Sequence, residues 1–252
     1  MAREWDSTVG EYLGTPDIPD QSGATAWTIA GWFIHDSQAG GVDEFFYKAT
    51  DAGSTDFMQL FWLNGSTAYR TRWDIAGTGR LVDAPAADIT VGEWTHYACR
   101  FTGSVMTVFI NGVSSGTPIT GLSGGLDNVL GFAFGSDVGA KPIDGKMAEW
   151  AMWNRALANN EIVSLANYRP PSRLAPNELY IPILGTSTEP DWSGQSFAIS
   201  VNGTPAVFDH VPIGPSFGFD DLSRSAVIPV VAGGLSIPVA MNSYRQRHQS
   251  VF

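Results

Sequence analysis

Three Asn-Gly pairs constrain the fold of this chain more than any other feature. They are Asn64-Gly65, Asn111-Gly112 and Asn202-Gly203, and each lies between two runs rich in β-branched and aromatic residues. A two-residue hairpin turn of type I′ needs positive φ at both central residues, and Asn-Gly adopts that conformation most readily. The sequence therefore predicts three β-hairpins and, with them, an antiparallel sheet protein.

The composition agrees with an all-β chain. Its 252 residues include 28 glycines and 15 prolines, and only 15% are charged, which suits short strands joined by tight turns. One segment is typical of a helix: NRALANNEIVSLANY, in which Asn159 or Asn160 would cap the start. The pair Pro170-Pro171 follows it and marks a boundary, because the residue before a proline is pushed out of the helical region.

The charge argues against a nucleic-acid partner. The chain carries 14 Lys and Arg against 25 Asp and Glu, a formal net charge of −11, whereas binding to a phosphate backbone needs clustered basic residues. The longest apolar stretch, Ala226 to Met241, is short and interrupted by Pro229 and Pro238. We therefore expect no membrane span. The opening MAREWDSTVG also lacks the apolar segment of a secretory signal.

The stretch GEWTHYACRF places Trp94, His96 and Cys99 close together, which raises the question of a catalytic site. Residues three apart in a strand point to opposite faces, so His96 and Cys99 cannot act as a nucleophilic pair. The four histidines are spread along the chain without the spacing of zinc ligands. We predict no catalytic residues. A glycosidase, the enzymatic alternative, would need paired carboxylates flanking a cleft.

Several segments together carry a resemblance to a known family. They are GEWTHYACRF followed by MTVFINGV, the earlier AWTIAGWF, the later DGKMAEWAMWNRALANNEIVSL and the opening WDSTVGEYLGTPD. Their order resembles the laminin-G-like family of concanavalin-A-like jelly rolls. The resemblance implies an antiparallel β-sandwich jelly roll with one short helix. The segment that begins NELYIPILGTSTEPDWSG resembles an extension of laminin-G-like proteins encoded by bacteriophages.

These observations predict three regions. A laminin-G-like jelly roll covers residues 1–168, a β extension packing on the same domain covers 169–215, and an extended C-terminal tail covers 216–252. The tail repeats an Ile-Pro-Val motif, and proline removes a donor from a sheet ladder, which favours an extended arm or an edge strand. We predict an assembly arm that buries its apolar side chains on its own body or on a neighbouring subunit; they are Ile228, Val230, Ile237 and Val239.

The resemblance implies a non-catalytic structural or adhesive protein of a phage virion, as a capsid decoration or a tail-associated component. Its partners would be virion proteins or further copies of itself, and its location the virion, with the cell surface as the alternative. A second hypothesis is a carbohydrate-binding module for host glycans. Exposed aromatic rings would then stack on sugars, and we predict Trp62 and Trp73, which flank the first hairpin, as those rings.

The resemblance also implies calcium, because laminin-G-like modules often bind it at a loop rim through carboxylates and carbonyls. The predicted ligands are in two acidic segments: Asp36, Asp43, Asp51 and Asp56. Acidic loops are, however, more often simply solvated. The chain also departs from the family, because Ala148 follows Met147 at a place where the family commonly has an acidic residue.

Overall fold

The computed structural model describes residues 2–5, 10–16, 25–37, 41–49, 57–63, 65–75, 78–122, 131–136 and 141–214. The chain divides into two units, Met1–Ser216 and Phe217–Phe252, and every described residue belongs to the first. The four residues of the predicted assembly arm therefore lie outside the described part of the chain.

The described residues form two antiparallel sheets. The strands, in chain order, are β1 (Ala2–Trp5), β2 (Tyr12–Gly14), β3 (Trp27–His35), β4 (Val42–Ala49), β5 (Phe57–Leu63), β6 (Ala68–Ile75), β7 (Thr78–Pro85), β8 (Thr95–Phe101), β9 (Val105–Ile110), β10 (Val113–Thr120), β11 (Phe132–Phe134), β12 (Gly145–Trp153), β13 (Leu179–Ile181), β14 (Ser200–Asn202) and β15 (Ala206–Phe208). The eight-stranded sheet has the order β10-β9-β8-β3-β12-β1-β15, and β13 also pairs with β12. The seven-stranded sheet has the order β14-β2-β11-β4-β5-β6-β7. This confirms the predicted all-β sandwich.

The main core lies between the two sheets and is rich in tryptophan. Trp27 of one sheet packs edge-on against Trp73 of the other, with ring centroids 5.5 Å apart, and Trp5 and Trp150 are buried in the same cluster. Burying such large rings supplies much of the hydrophobic stabilisation. The single cysteine, Cys99, belongs to this cluster as well.

A second apolar layer covers the other side of the eight-stranded sheet. There, Ile162 and Leu165 of helix α1 (Asn159–Ala166) pack with Trp153 and Tyr180. Nearby, the ring of Tyr168 stacks on Trp32 at 4.8 Å. Strand β8 is therefore apolar on both faces, as its sequence predicts for a central strand. Among the described residues, no helix is long and apolar enough to cross a membrane.

The Asn-Gly predictions have different outcomes. Asn111-Gly112 joins β9 to β10 with φ of 50° and 81°, which confirms the predicted turn. Strands β5 and β6 pair around Gly65, although Asn64 lies outside the described residues. The third prediction is wrong: β14 pairs with β2 in one sheet and β15 with β1 in the other. Asn202-Gly203 thus carries the chain between sheets, because each flanking strand completes a different sheet edge.

Helix α1 forms where the sequence predicts it, but its cap differs. The residue before the first turn is Ala158, and its N–H donates to the carboxylate of Glu161 at 2.8 Å. The predicted asparagine caps are therefore wrong. Asn159 lies inside the helix, and its side-chain oxygen accepts a hydrogen bond from Arg100 at 2.7 Å instead.

Candidate functional site

The outward side of the seven-stranded sheet carries aromatic, amide, cationic and acidic side chains close together. Side chains alternate along a strand. Met58, Leu60 and Trp62 of β5 are in the core, so the residues between them face outward. We call this outward surface the polar face; its members on β4 to β7 are Glu44, Tyr47, Phe57, Gln59, Phe61, Arg70, Arg72, Asp74, Leu81 and Asp83.

The pairing register arranges the polar face in rows across the strands. Tyr47 pairs with Gln59, Gln59 with Arg72, and Arg72 with Leu81, so four neighbouring strands contribute one row. Directly opposed side chains in such a ladder are about 4.5–5.5 Å apart at Cβ. A bulge between Glu44 and Phe46 turns Tyr47 to this face.

The same row continues over three further strands with small residues. Ala133 pairs with Tyr47, Gly14 with Ala133, and Ser200 with Gly14. The row is exposed at its ends, at Ser200 and Leu81, whereas Ala133 and Gln59 in its middle are buried. Neighbouring side chains therefore cover the middle of the row, and the partly exposed Tyr47 and Arg72 flank the buried Gln59.

Aromatic and cationic groups on the polar face hold one another in place. The rings of Tyr47 and Phe57 lie 5.8 Å apart, and the guanidinium of Arg72 lies over the Phe57 ring at 4.7 Å. Arg72 also donates to both oxygens of Asp74, with distances of 2.9 Å and 2.6 Å. Such bidentate pairing fixes the guanidinium in one orientation.

The two tryptophans predicted as exposed sugar platforms are buried. Trp62 and Trp73 are 3% and 1% exposed, and both point into the core, where Trp62 contacts Tyr69 at 4.9 Å. That prediction is wrong, because both lie on the inward-facing alternate positions of β5 and β6. Of the nine tryptophans, all within the described residues, Trp192 is the exposed one, at 55%.

The predicted calcium ligands that the structure describes are engaged elsewhere. Asp43 is buried and bonds His35 at 2.9 Å, while Asp36 pairs with the amine of Lys146. These two carboxylates therefore do not form a shared metal site. Asp51 and Asp56 lie outside the described residues. Within the described ranges, no group of three or more His, Cys, Asp or Glu residues is placed to hold a metal ion.

His96 and Cys99 lie on opposite faces of β8, as the strand geometry predicts. The His96 ring packs edge-on against Trp32 at 5.1 Å, and Cys99 lies in the main core. Burial lowers the pKa of His96 to about 3 and raises the pKa of Cys99 to about 12. The imidazole is thus neutral and the thiol protonated at neutral pH, which is the state of packed side chains rather than of a nucleophile and its base.

A polar cluster on the eight-stranded sheet has no signal in the sequence. Glu149 has a φ of 57° at a bulge in β12, and its carboxylate accepts a hydrogen bond from the Tyr180 hydroxyl at 2.7 Å. His210 approaches the other carboxylate oxygen at 3.2 Å. Burial raises the pKa of Tyr180, and the charge of Glu149 raises it further. The three residues are far apart in the chain, so only the fold brings them together.

The comparisons with known proteins agree with this architecture. Residues 6–163 match the family model Laminin_G_3, of the concanavalin A-like lectin/glucanases superfamily. The match covers more than half of the chain, so the chain belongs to this family. None of the curated proteins compared with the chain matches it.

Two solved structures illustrate the shared fold. A protein of Bacteroides ovatus ATCC 8483, proposed to bind carbohydrate, is 16% identical with a TM-score of 0.59, over 82% of this chain and 61% of that one. The heptameric SAP-like pentraxin of Limulus polyphemus is 13% identical with a TM-score of 0.52, over 78% of this chain and 91% of that one. At these identities the likeness shows the fold alone. The chain spans about three fifths of the Bacteroides protein.

Proposed function

We propose that this chain is a non-catalytic binding protein that recognises glycans through the polar face. The observation that carries the proposal is the row in which Tyr47, Gln59 and Arg72 lie side by side on three strands. Aromatic rings pack on the apolar face of a pyranose, while amide and guanidinium groups hydrogen-bond its hydroxyls. Regular strands hold these groups more rigidly than loops would.

The carboxylates of the polar face support binding rather than hydrolysis. Asp74 is held by Arg72 and Asp83 by Arg70 at 3.3 Å, and Glu44 by Lys141 at 3.0 Å. A glycosidase needs a pair of carboxyl groups available as general acid and as base or nucleophile, whereas each of these three carboxylates is held in an ion pair. The fold likeness to a Bacteroides protein proposed to bind carbohydrate also favours glycan binding.

A glycan array followed by calorimetry tests this proposal. Removing the ring in Tyr47→Ala takes away a stacking surface, so we expect the affinity for the best array ligand to fall about tenfold, equivalent to about 1.4 kcal/mol. Trp192→Ala is the matched control, since it removes an exposed ring outside the polar face. Its affinity should equal that of the wild type.

Two results would contradict the proposal. One is the absence of any array signal with correctly folded protein. The other is that Trp192→Ala loses binding whereas Tyr47→Ala binds as tightly as the wild type. The array is run both with calcium and with a chelator, because the sequence also predicts calcium ligands and Asp51 and Asp56 lie outside the described residues. A chelator-sensitive signal that Tyr47→Ala leaves intact would move the binding site away from the polar face.

We further propose that the protein works in a phage particle, where its C-terminal tail docks on a neighbouring subunit. The tail sequence supports this proposal: Ile228-Pro229-Val230 and Ile237-Pro238-Val239 combine apolar side chains with prolines that suit an added edge strand. The sequence resemblance of the extension to phage-encoded laminin-G-like proteins points to the same setting.

Deletion of Ser225 to Phe252 tests the docking proposal. We expect the truncated protein to keep the thermal unfolding midpoint of the full chain and to be missing from purified particles, as measured by mass spectrometry. A tail of the same length made of glycine and serine is the control for length, and it should also fail to assemble. Normal incorporation of either variant would refute the docking arm.

A further inference from the structure

The arginine best placed to meet a ligand on the polar face has its binding edge already occupied. Arg72 donates from Nε to Oδ1 of Asp74 at 2.9 Å and from Nη2 to Oδ2 at 2.6 Å. An arginine that clamps a ligand carboxylate or sulfate uses this same pair of parallel N–H groups. The plane of the guanidinium is also covered on one side by Phe57, at 4.7 Å.

Two other cations at the polar face, Arg70 and Lys141, each lie beside a carboxylate, although neither pair is bidentate. Nε of Arg70 lies 3.3 Å from Asp83, and Nζ of Lys141 lies 3.0 Å from Glu44. Arg70 and Arg72 of the face, with Lys141 from the segment before β12, thus give three positive charges against the three negative charges of Glu44, Asp74 and Asp83. The side chain of Asp74 is buried. A ligand that displaced it from Arg72 would leave a buried carboxylate without its partner, which is strongly unfavourable.

We infer that the polar face selects neutral oligosaccharides and discriminates against glycans that carry carboxylate or sulfate groups. This inference rests on the proposed glycan-binding function and narrows its ligand class. Sugar hydroxyl groups can accept hydrogen bonds from the remaining N–H groups of the partly exposed Arg72 without breaking the ion pair. An anionic sugar meets the exposed carboxylate of Asp83 as a like charge, on a chain whose formal net charge is −11.

The test compares neutral and anionic probes on the wild type and on a variant. The probes are neutral tetrasaccharides of glucose, galactose, mannose, xylose and arabinose, and oligogalacturonate of the same length. We expect the wild type to bind at least one neutral probe at least tenfold more tightly than the oligogalacturonate. Asp74→Asn removes the carboxylate that holds Nε and Nη2 of Arg72 and makes the net charge of the face more positive by one. The affinity for the oligogalacturonate should therefore rise at least tenfold.

Two further variants keep this test decisive. Asp83→Asn releases Arg70 at a more exposed position, so it should also raise the affinity for the oligogalacturonate. It replaces Asp74→Asn in the test if that variant does not fold. Asp209→Asn is the matched control, since it makes the same chemical change just after β15 of the other sheet, and it should leave both affinities unchanged.

The outcomes separate this inference from the function on which it rests. Tighter binding of oligogalacturonate than of every neutral probe by the wild type, lost in Arg72→Ala, would overturn the neutral selectivity and leave glycan binding intact. No binding of any probe or array glycan would overturn both. An unchanged preference in both Asp74→Asn and Asp83→Asn would show that the ion pairs do not set selectivity, which also overturns the inference.

Discussion

At the scale of single residues, His210 is placed to be a cation. Its Nδ1 lies 2.8 Å from the carbonyl oxygen of Val211, and its Nε2 lies 3.1 Å from that of Pro182 and 3.2 Å from the Glu149 carboxylate. A neutral imidazole has one N–H, so both nitrogens can donate only when the ring is protonated. Burial lowers the pKa of His210, but these hydrogen bonds outweigh it, and the pKa is raised above its usual value.

This geometry predicts a pH-dependent stability. Because the folded-state pKa of His210 exceeds the unfolded value of about 6.5, its contribution is complete below about pH 6.5 and is lost as the pH rises through the folded pKa. We expect His210→Ala to lower the free energy of unfolding by about 1–2 kcal/mol at pH 6, and by clearly less at pH 9. Denaturant unfolding at the two pH values measures the difference.

The groups that face His210 define the control. Glu149 comes from β12 and Tyr180 from β13, and Asp209 precedes His210 on its own segment. In Glu149→Gln the charge that favours the protonated ring is gone, so the dependence on pH should flatten even with His210 present. An equal destabilisation of His210→Ala at both pH values would mean that the ring contributes packing alone.

At the scale of elements, the hairpin turn at Asn111-Gly112 also supports helix α1. A Cβ added at Gly112 would lie 3.1 Å from Cβ of Ala166 and 3.2 Å from Cα of Val163, both in the helix. The side-chain oxygen of Asn111 accepts a hydrogen bond from the backbone N–H of His96 at 2.9 Å. This turn therefore connects two strands and provides the surface on which a helix rests.

Gly65 and Gly112 form a matched pair for testing that contact. Both have positive φ, 76° and 81°, but a Cβ at Gly65 would meet nothing within 4 Å. We expect Gly65→Ala to lower the free energy of unfolding by about 1 kcal/mol through backbone strain alone. Gly112→Ala should lower the free energy of unfolding by at least about 2 kcal/mol, because the helix must also shift. If denaturant unfolding gives the same loss of free energy for both variants, the helix shifts without cost and the contact with Gly112 does not contribute to stability.

At the scale of the whole molecule, the residues after Tyr168 complete both sheets. Strand β13 extends the pairing of β12, β14 adds to β2, and β15 adds to β1. A buried ion pair, Arg3 with Glu189 at 2.6 Å, joins the first strand to this region. The carboxylate of Glu189 also accepts hydrogen bonds from the backbone N–H groups of Leu184 and Gly185, and these bonds offset the cost of burying its charge. The region extends beyond the residues matched by the family model, which end at 163.

Much of the fold can be predicted from the sequence, because its signals are local. Asn111-Gly112 carries its own turn geometry, and the alternation around Trp94 and His96 predicts a strand with two apolar faces. The outcome for Asn202-Gly203 shows the limit of such signals. Its conformation is local, but the partners of the strands on either side are residues far away in the chain, and these decide whether a hairpin forms.

The polar face depends on tertiary structure. Tyr47, Gln59 and Arg72 belong to three strands, and only the pairing register places them in one row. Simple alternation from Asp43, which points inward to His35, would also turn Tyr47 inward, but the bulge before Phe46 reverses it. The sequence alone determined that this chain is an all-β protein, since composition and turn chemistry act locally, and the β-sandwich was what its resemblance to the laminin-G-like family implied. Which side chains face solvent was decided by register and bulge, because those arise only when distant strands pair.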